Sequence, residues 1–174
     1  MLGKFFNWLF LLKVVIILAV IAVIIIVSIG VILPVSGKSM EPNFKSGQIV
    51  LVEKVSRLKN KPLKYGDIVA AKFPADPDKT RLIKRVLGLP GDRIYAVKGV
   101  IFRNGETITE NYSPILGDPG YSELTEITLK EDEYFLVGDN RSGSSDSRLW
   151  GPVQKSDIQG RVILILIPLK IVSI

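Results

Sequence analysis

The sequence predicts a mainly β fold: an antiparallel β-sheet domain preceded by one N-terminal transmembrane helix. Three observations lead there. Val14 to Leu33, "VVIILAVIAVIIIVSIGVIL", is twenty residues without a charge. Beyond residue 34 the helical period disappears, and short runs rich in Val, Ile, Tyr and Phe take over. Gly, Pro, Asp and Asn fill the gaps between those runs and mark turns.

Residues 1–13 form a short segment in which Phe5, Phe6, Trp8 and Phe10 suit a membrane interface. The apolar run, residues 14–33, is long enough to cross a hydrocarbon core of about 30 Å at about 1.5 Å per residue. Its exit, "ILPVSGKS", has bulky residues where a cleavable export signal has small ones, so the run reads as an uncleaved anchor. Lys4 and Lys13 favour an N-terminus in the cytoplasm, against an opposing pull from Lys38 and Lys45 on the other flank.

Residues 34–174 then make one domain, of a length that encloses a single moderate core. Its strands are read in "QIVLVEKV", "DIVAAKF", "RLIKRVLGL", "DRIYAV", "VIFRNGETI", "EITL" and "EYFLVGD". Asn104-Gly105 is a type I′ hairpin signal and Lys98-Gly99 a similar one. Three strands start just after Gly47-Gln48, Gly66-Asp67 and Gly91-Asp92. "VILILIPL", Val162 to Leu169, is too short to span a bilayer; it reads as a buried core strand, with a membrane-dipping strand as the alternative. Residues 110–121, "ENYSPILGDPGY", read as a loop.

Composition excludes several kinds of chemistry. Lys4 and Lys13 carry two of the six net positive charges, so the domain is +4, spread too evenly to argue for nucleic acid. The local excess at Lys54, Arg57, Lys59, Lys61 and Lys64 is either a solvated face or a contact for lipid headgroups. No Cys is present, which removes disulfides, thiolate nucleophiles and sulfur-ligated metals. No His is present either, which removes Ser-His-Asp hydrolysis and most zinc chemistry. No Asp/Glu run has calcium-loop spacing, so neither metal nor cofactor is expected.

What remains for a nucleophile is Ser or Thr activated by Lys. "SGKSM", residues 36–40, lies just past the apolar run, either as a solvated linker or as a nucleophile held near the lipid surface. A solvated Lys titrates near 10.4; burial lowers it toward about 7 to 8 at a cost on the order of 4 kcal/mol. The base must therefore sit in an apolar strand. Lys84 in "RLIKRVLGLPGD" does, with Leu82, Lys84 and Val86 on one face by alternation. The opposed reading is an edge-strand Lys whose stem snorkels. Lys72 in "DIVAAKF" is a weaker candidate, near its strand's end. A third segment, "GDNRSGSSDSRLWG", holds four serines, two aspartates and two arginines, with Asp146 and Arg148 able to pair.

In chain order these stretches resemble the sequence boxes of type I signal peptidase, the membrane-bound Ser/Lys endoprotease that removes signal peptides. "SGKSMEP" is similar to the nucleophile box, "YGDIVAAKF" to the strand after it, "IKRVLGLPGD" to the lysine box and "GDNRSGSSDSR" to the last box. The resemblance implies a single-pass protein of a cell membrane with its β-rich catalytic domain on the extracytoplasmic side. It implies Ser39 as nucleophile, Lys84 as general base, Ser144 as the lysine's hydrogen-bond partner, and Asp139, Asp146 and Arg148 as supports. Ser39's own N–H would be one oxyanion donor; Gly37 stands where some members add a hydroxyl donor. Met40 matches the packing position after the nucleophile. The implied substrates are signal peptides of secreted preproteins, added as a strand between "LPVSG" and "TRLIK" and cut after small residues in an A-x-A pattern. Val35 and Ile83 would line the small pockets. From the residues alone, a membrane-anchored β domain that binds peptides or partner proteins without catalysis is the alternative, and nothing signals an oligomeric state.

Overall fold

The computed structural model describes residues 8, 10–21, 30–54, 61–74, 76, 80–98, 100–117 and 123–172. Residues 10–21 are helical and expose Phe10, Leu11, Val15, Ile16 and Leu18. Among the described residues no helix is long and apolar enough to cross a membrane. Residues 22–29 of the expected anchor, Phe5 and Phe6 of the aromatic belt, and residues 55–60 of the basic cluster lie outside the described residues.

The last four residues of the apolar run are not helical. With Pro34 they form β1 (Gly30–Pro34), paired antiparallel to β2 (Ile49–Glu53) from Gly30↔Glu53 to Pro34↔Ile49. That pairing buries Leu33 beside Val50 and Val52. An apolar run does not distinguish the end of a lipid-facing helix from a strand buried on one face.

The chain continues through β3 (Ile68–Lys72), β4 (Arg81–Gly88), β5 (Arg93–Val97), β6 (Val100–Arg103), β7 (Glu106–Thr107) and β8 (Leu124–Thr128). It ends with β9 (Glu133–Val137), β10 (Val153–Gln154), β11 (Ile158–Ile167) and β12 (Lys170–Ile171). The larger sheet runs β1-β2-β11-β3-β4-β9-β10, with β12 added to β11. A second sheet, β7-β6-β5-β8, is inserted between β4 and β9. The strand pairs are antiparallel. The mainly β expectation holds.

One local device repeats. Before β2, β3 and β5 the chain makes the same turn, in "KSGQ", "KYGD" and "LPGD". In each, the side chain of the fourth residue accepts the N–H of the first: Gln48 from Lys45, Asp67 from Lys64 and Asp92 from Leu89. The third residue has φ of +85° to +88°, which Gly adopts without a Cβ clash. The Asn104-Gly105 hairpin also has both residues at positive φ, as a type I′ turn requires.

β11 corrects one expectation. "VILILIPL" is not a wholly buried strand: Val162 and Ile165 are buried, while Ile163, Ile167 and Leu169 are exposed. Pairing aligns Ile32, Leu51, Leu164 and Ile171 in a row across β1, β2, β11 and β12, with Pro34, Ile49 and Ile167 beside it. This outer face is aliphatic without being covered, for Ile32 is 52% and Ile171 77% exposed. The opposite face carries the core of Leu33, Val35, Met40, Val50, Val52 and Val162. Further clusters fill the space around β3, β4 and β9 and join the inserted sheet to β4 and β9 through Leu87, Ile94, Phe135 and Val137.

Candidate active site

Lys84 lies in β4, between β3 and β9, opposite Val69 of β3. The edge-strand reading is thereby excluded: the side chain is 2% exposed. Its Nζ donates to Ser144 Oγ at 3.1 Å. Burial is the main force on its titration and pushes the amine down to about 8; Arg148 adds to this, while Asp146 and Asp139 oppose it. Lys72 pairs with Arg81, three rungs or about 10 Å along the ladder from Lys84, and does not join it.

Ser39 sits half-buried on the loop between β1 and β2. Its carbonyl accepts Asn140 N–H at 3.0 Å, and the carbonyl of Lys38 accepts Asn140 Nδ2 at 3.2 Å. Gly138, directly after β9, is wedged between the two serines. A Cβ there would overlap Ser144 Oγ and lie 2.5 Å from the carbonyl oxygen of Ser39. The loop of Ser39, β9's exit and the hydroxyl that holds Lys84 thus meet at one residue without a side chain.

Val35, Ser39, Met40 and Ile83 share a small cleft of about 60 Å³ with the ends of β1 and β4. Val35 and Met40 are also part of the core beneath it, which Ile83 packs against. Gly37 is at φ +78° with open space where a Cβ would point, so it contributes only backbone. A larger cavity, about 330 Å³, shares no residue with this cleft and is lined by Asn43, Phe44, Tyr65, Arg85 and Tyr112 among others.

The supporting residues form a buried frame. Asp146 caps a one-turn helix, Ser147–Trp150, and accepts Gly138 N–H at 3.0 Å. Arg148 grips both its oxygens at 2.8 Å and donates to the carbonyl of Arg141 at 2.9 Å. Asp139, fully buried, accepts Arg85 Nε at 2.8 Å and Nη2 at 2.7 Å. It also accepts Asn43 Nδ2 at 2.9 Å, and so ties the neighbour of Lys84 to the loop that carries Ser39. Two-point Arg–carboxylate pairs of this kind fix direction as well as distance. The structure thus sets Ser144 against Lys84 and Gly138 between Ser144 and the carbonyl of Ser39, with Asp139, Asp146 and Arg148 framing them.

A sequence model described as "Signal peptidase, peptidase S26" matches residues 8–167 of this chain. The chain belongs to that family. It is a signal-peptidase-type hydrolase. It is 32% identical over 163 residues to the probable signal peptidase I-2 of Synechocystis sp., covering 91% of this chain and 72% of that one. To signal peptidase I V of Bacillus subtilis it is 36% identical over 137 residues, 72% of this chain and 79% of the other. To the human mitochondrial inner membrane protease subunit 1 it is 34% identical over 141 residues, 81% and 72% of the two chains. A crystal structure of a signal peptidase I from Enterococcus faecalis V583 superposes with a TM-score of 0.46 at 27% identity, over 58% of this chain and 97% of that one.

Sequence reasoning missed several residues around this candidate site. Arg85, Asn43 and Asn140 carry bonds that join its parts, yet each reads in sequence as an ordinary polar residue. Gly138 could have been flagged, because a Gly directly after an apolar strand signals a close backbone approach. Glu110, Tyr112 and Arg141 form a further, partly buried cluster: Arg141 Nη2 donates to Glu110 and to Tyr112 Oη, and the Tyr112 hydroxyl donates to Glu110. No local pattern announces it. Burial, with the Glu110 carboxylate beside it, pushes the Tyr112 phenol upward, so it stays a proton donor.

Proposed function

We propose that this peptidase cleaves signal peptides from exported preproteins, with Ser39 as nucleophile and Lys84 as general base. The observation that carries the reading is the buried amine of Lys84, 2% exposed, hydrogen-bonded to Ser144 and held at about 8. An amine so placed is partly neutral near physiological pH and accepts a proton, which a solvated lysine does not.

Ser39 Oγ attacks the scissile carbonyl carbon as its proton passes to Lys84. The tetrahedral oxyanion takes the N–H of Ser39 as one donor; Gly37 adds no side-chain donor. Collapse breaks the C–N bond, Lys84 returns the proton to the departing amine, and an ester to Ser39 remains. A water then attacks that ester while Lys84 takes its proton; release of the carboxylate restores the hydroxyl of Ser39. Ser144 keeps the amine aimed, and the pairs Asp146–Arg148 and Asp139–Arg85 hold the loops that carry these groups.

The cleft at Val35, Met40 and Ile83 admits only small side chains, in accord with cleavage after small residues of an A-x-A pattern. The substrate lies extended beside β1 and β4. The anchor is the uncharged run that begins after Lys13, with the N-terminus in the cytoplasm and the β domain outside. Support for lipid as a partner comes from the exposed apolar residues of the helix 10–21 and from the aliphatic outer face of β1, β2, β11 and β12. No cofactor enters any step.

The test is cleavage of a preprotein by the full chain in detergent. Ser39→Ala and Lys84→Ala each lower kcat by at least about a thousandfold with the fold retained. Wild-type processing by either variant would sink the assignment. The wild-type rate rises with pH through about 8 as the amine loses its proton.

A further inference from the structure

Residues 110–115 come back from the inserted sheet and lie across the loop after β9. They are fastened there in three ways. Ile115 N–H donates to the carbonyl of Asp139 at 2.9 Å, and Arg141 N–H donates to the carbonyl of Ile115 at 2.9 Å. Glu110 and the Tyr112 hydroxyl receive the guanidinium of Arg141. The ring of Tyr112 covers the guanidinium of Arg85, 3.7 Å from the ring centroid.

Arg85 is the hub of these contacts. Its edges are occupied, with Nε and Nη2 on Asp139 and Nη1 on the carbonyl of Gly66 at 2.9 Å. Its plane is held by Tyr112, at the wall of the 330 Å³ cavity. Asp139, gripped by Arg85, in turn holds Asn43, four residues past Ser39. One step from Tyr112 reaches the neighbour of Lys84, and two more reach the loop of Ser39.

We propose that Glu110 and Tyr112 form a clasp that positions the reacting groups: Tyr112 keeps Arg85 flat on Asp139, so that β4 and the Ser39 loop hold one alignment. The clasp rests on the Ser39/Lys84 reading and adds to it residues from outside the motifs. It has an electrostatic consequence. The charges that face Lys84 are Asp139 from the loop after β9 and Asp146 and Arg148 from the cap and first turn of the short helix beyond, while β3 presents Val69. Asp146 keeps its own arginine. Asp139 depends on Arg85, and with the ring gone water enters from the cavity and loosens that pair. The carboxylate then faces Lys84 less compensated and favours the ammonium form.

The experiment follows the pH dependence of kcat and KM for preprotein cleavage by the full chain in detergent, with melting temperatures alongside. Tyr112→Leu lowers kcat about tenfold, leaves KM within about twofold, and moves the acid limb of the profile upward by about half a pH unit or more. Tyr112→Phe keeps the ring and leaves the limb in place. A limb that stays at the wild-type pH in Tyr112→Leu overturns the proposal whatever the melting temperature does. A limb moved equally by both variants overturns the role of the ring. Should Tyr112→Leu fail to fold, Arg85→Lys, which keeps the charge but loses plane and fork, is read the same way. An upward limb supports the clasp and an unmoved limb overturns it. Ser39→Ala, run beside them, reports on the dyad alone, since cleavage by that variant would refute the nucleophile without involving Tyr112.

Discussion

Lys84 is where residue-scale chemistry concentrates. Holding an amine at about 8 instead of 10.5 costs on the order of 3 kcal/mol of stability. The sign follows from linkage. Folded Lys84 gives up its proton at lower pH than the unfolded chain does, so below about 8 both forms are charged and the full penalty stands. Between about 8 and 10.5 the unfolded chain binds more protons, and the penalty fades as pH rises. Lys84→Met, of similar length without the charge, is therefore more stable than wild type at pH 7 by up to that amount. Urea midpoints measured from pH 7 to 10.5 show this gap closing; a gap of constant size would mean that the folded and unfolded amines titrate alike, so that burial does not lower Lys84. Such a penalty is tolerated at a reacting group and is hard to justify elsewhere.

At the scale of elements, the strands are held in place by close backbone approach as much as by side-chain burial. Gly160 of β11 shows this: a Cβ there would overlap the carbonyl oxygen of Glu53 on β2. The obstacle is backbone, which does not swing aside as a side chain would. Gly160→Ala therefore forces β2 and β11 apart and lowers stability by about 3 kcal/mol, read as an earlier midpoint in chemical unfolding. Unchanged stability would show that the two strands separate without cost. Activity falls less than stability in the surviving folded fraction, because β4 and β9, which carry Lys84 and lead into Gly138, pair with each other and not with β2.

For the whole molecule, the question is which way the β domain sits relative to lipid. The rows Ile32–Leu51–Leu164–Ile171 and Pro34–Ile49–Ile167 make one end of the larger sheet apolar on its outer side, and β1 begins this face within the last four residues of the uncharged run. The chain has no Cys, so a single engineered one is labelled cleanly. In the full chain reconstituted into phospholipid vesicles, a fluorophore on Leu169→Cys is quenched by a lipid-borne spin label. One on Val97→Cys, in the inserted sheet, is quenched by aqueous iodide. Iodide quenching at both positions would place this face in water, and cross-linking between two copies through position 169 would assign it to self-association.

The sequence by itself determined what is local. Missing His and Cys left Ser and Lys for the chemistry, alternation put Lys84 with aliphatic neighbours, and three Gly-Asp or Gly-Gln turns marked where β2, β3 and β5 begin. Each of these depends on residues within a few positions of one another, where backbone geometry translates directly into pattern. Only the tertiary structure decided the rest. Gly30–Leu33 became a strand because β2, about twenty positions on, offered it partners in register. "VILILIPL" is half-exposed because sheet order leaves its outer face uncovered. Tyr112 meets Arg85, and Asp139 meets Asn43, across dozens of residues because the inserted sheet and β9 return the chain to β4. Contacts of that range are set by which strands pair, and pairing is a property of the whole folded chain that no short window of sequence contains.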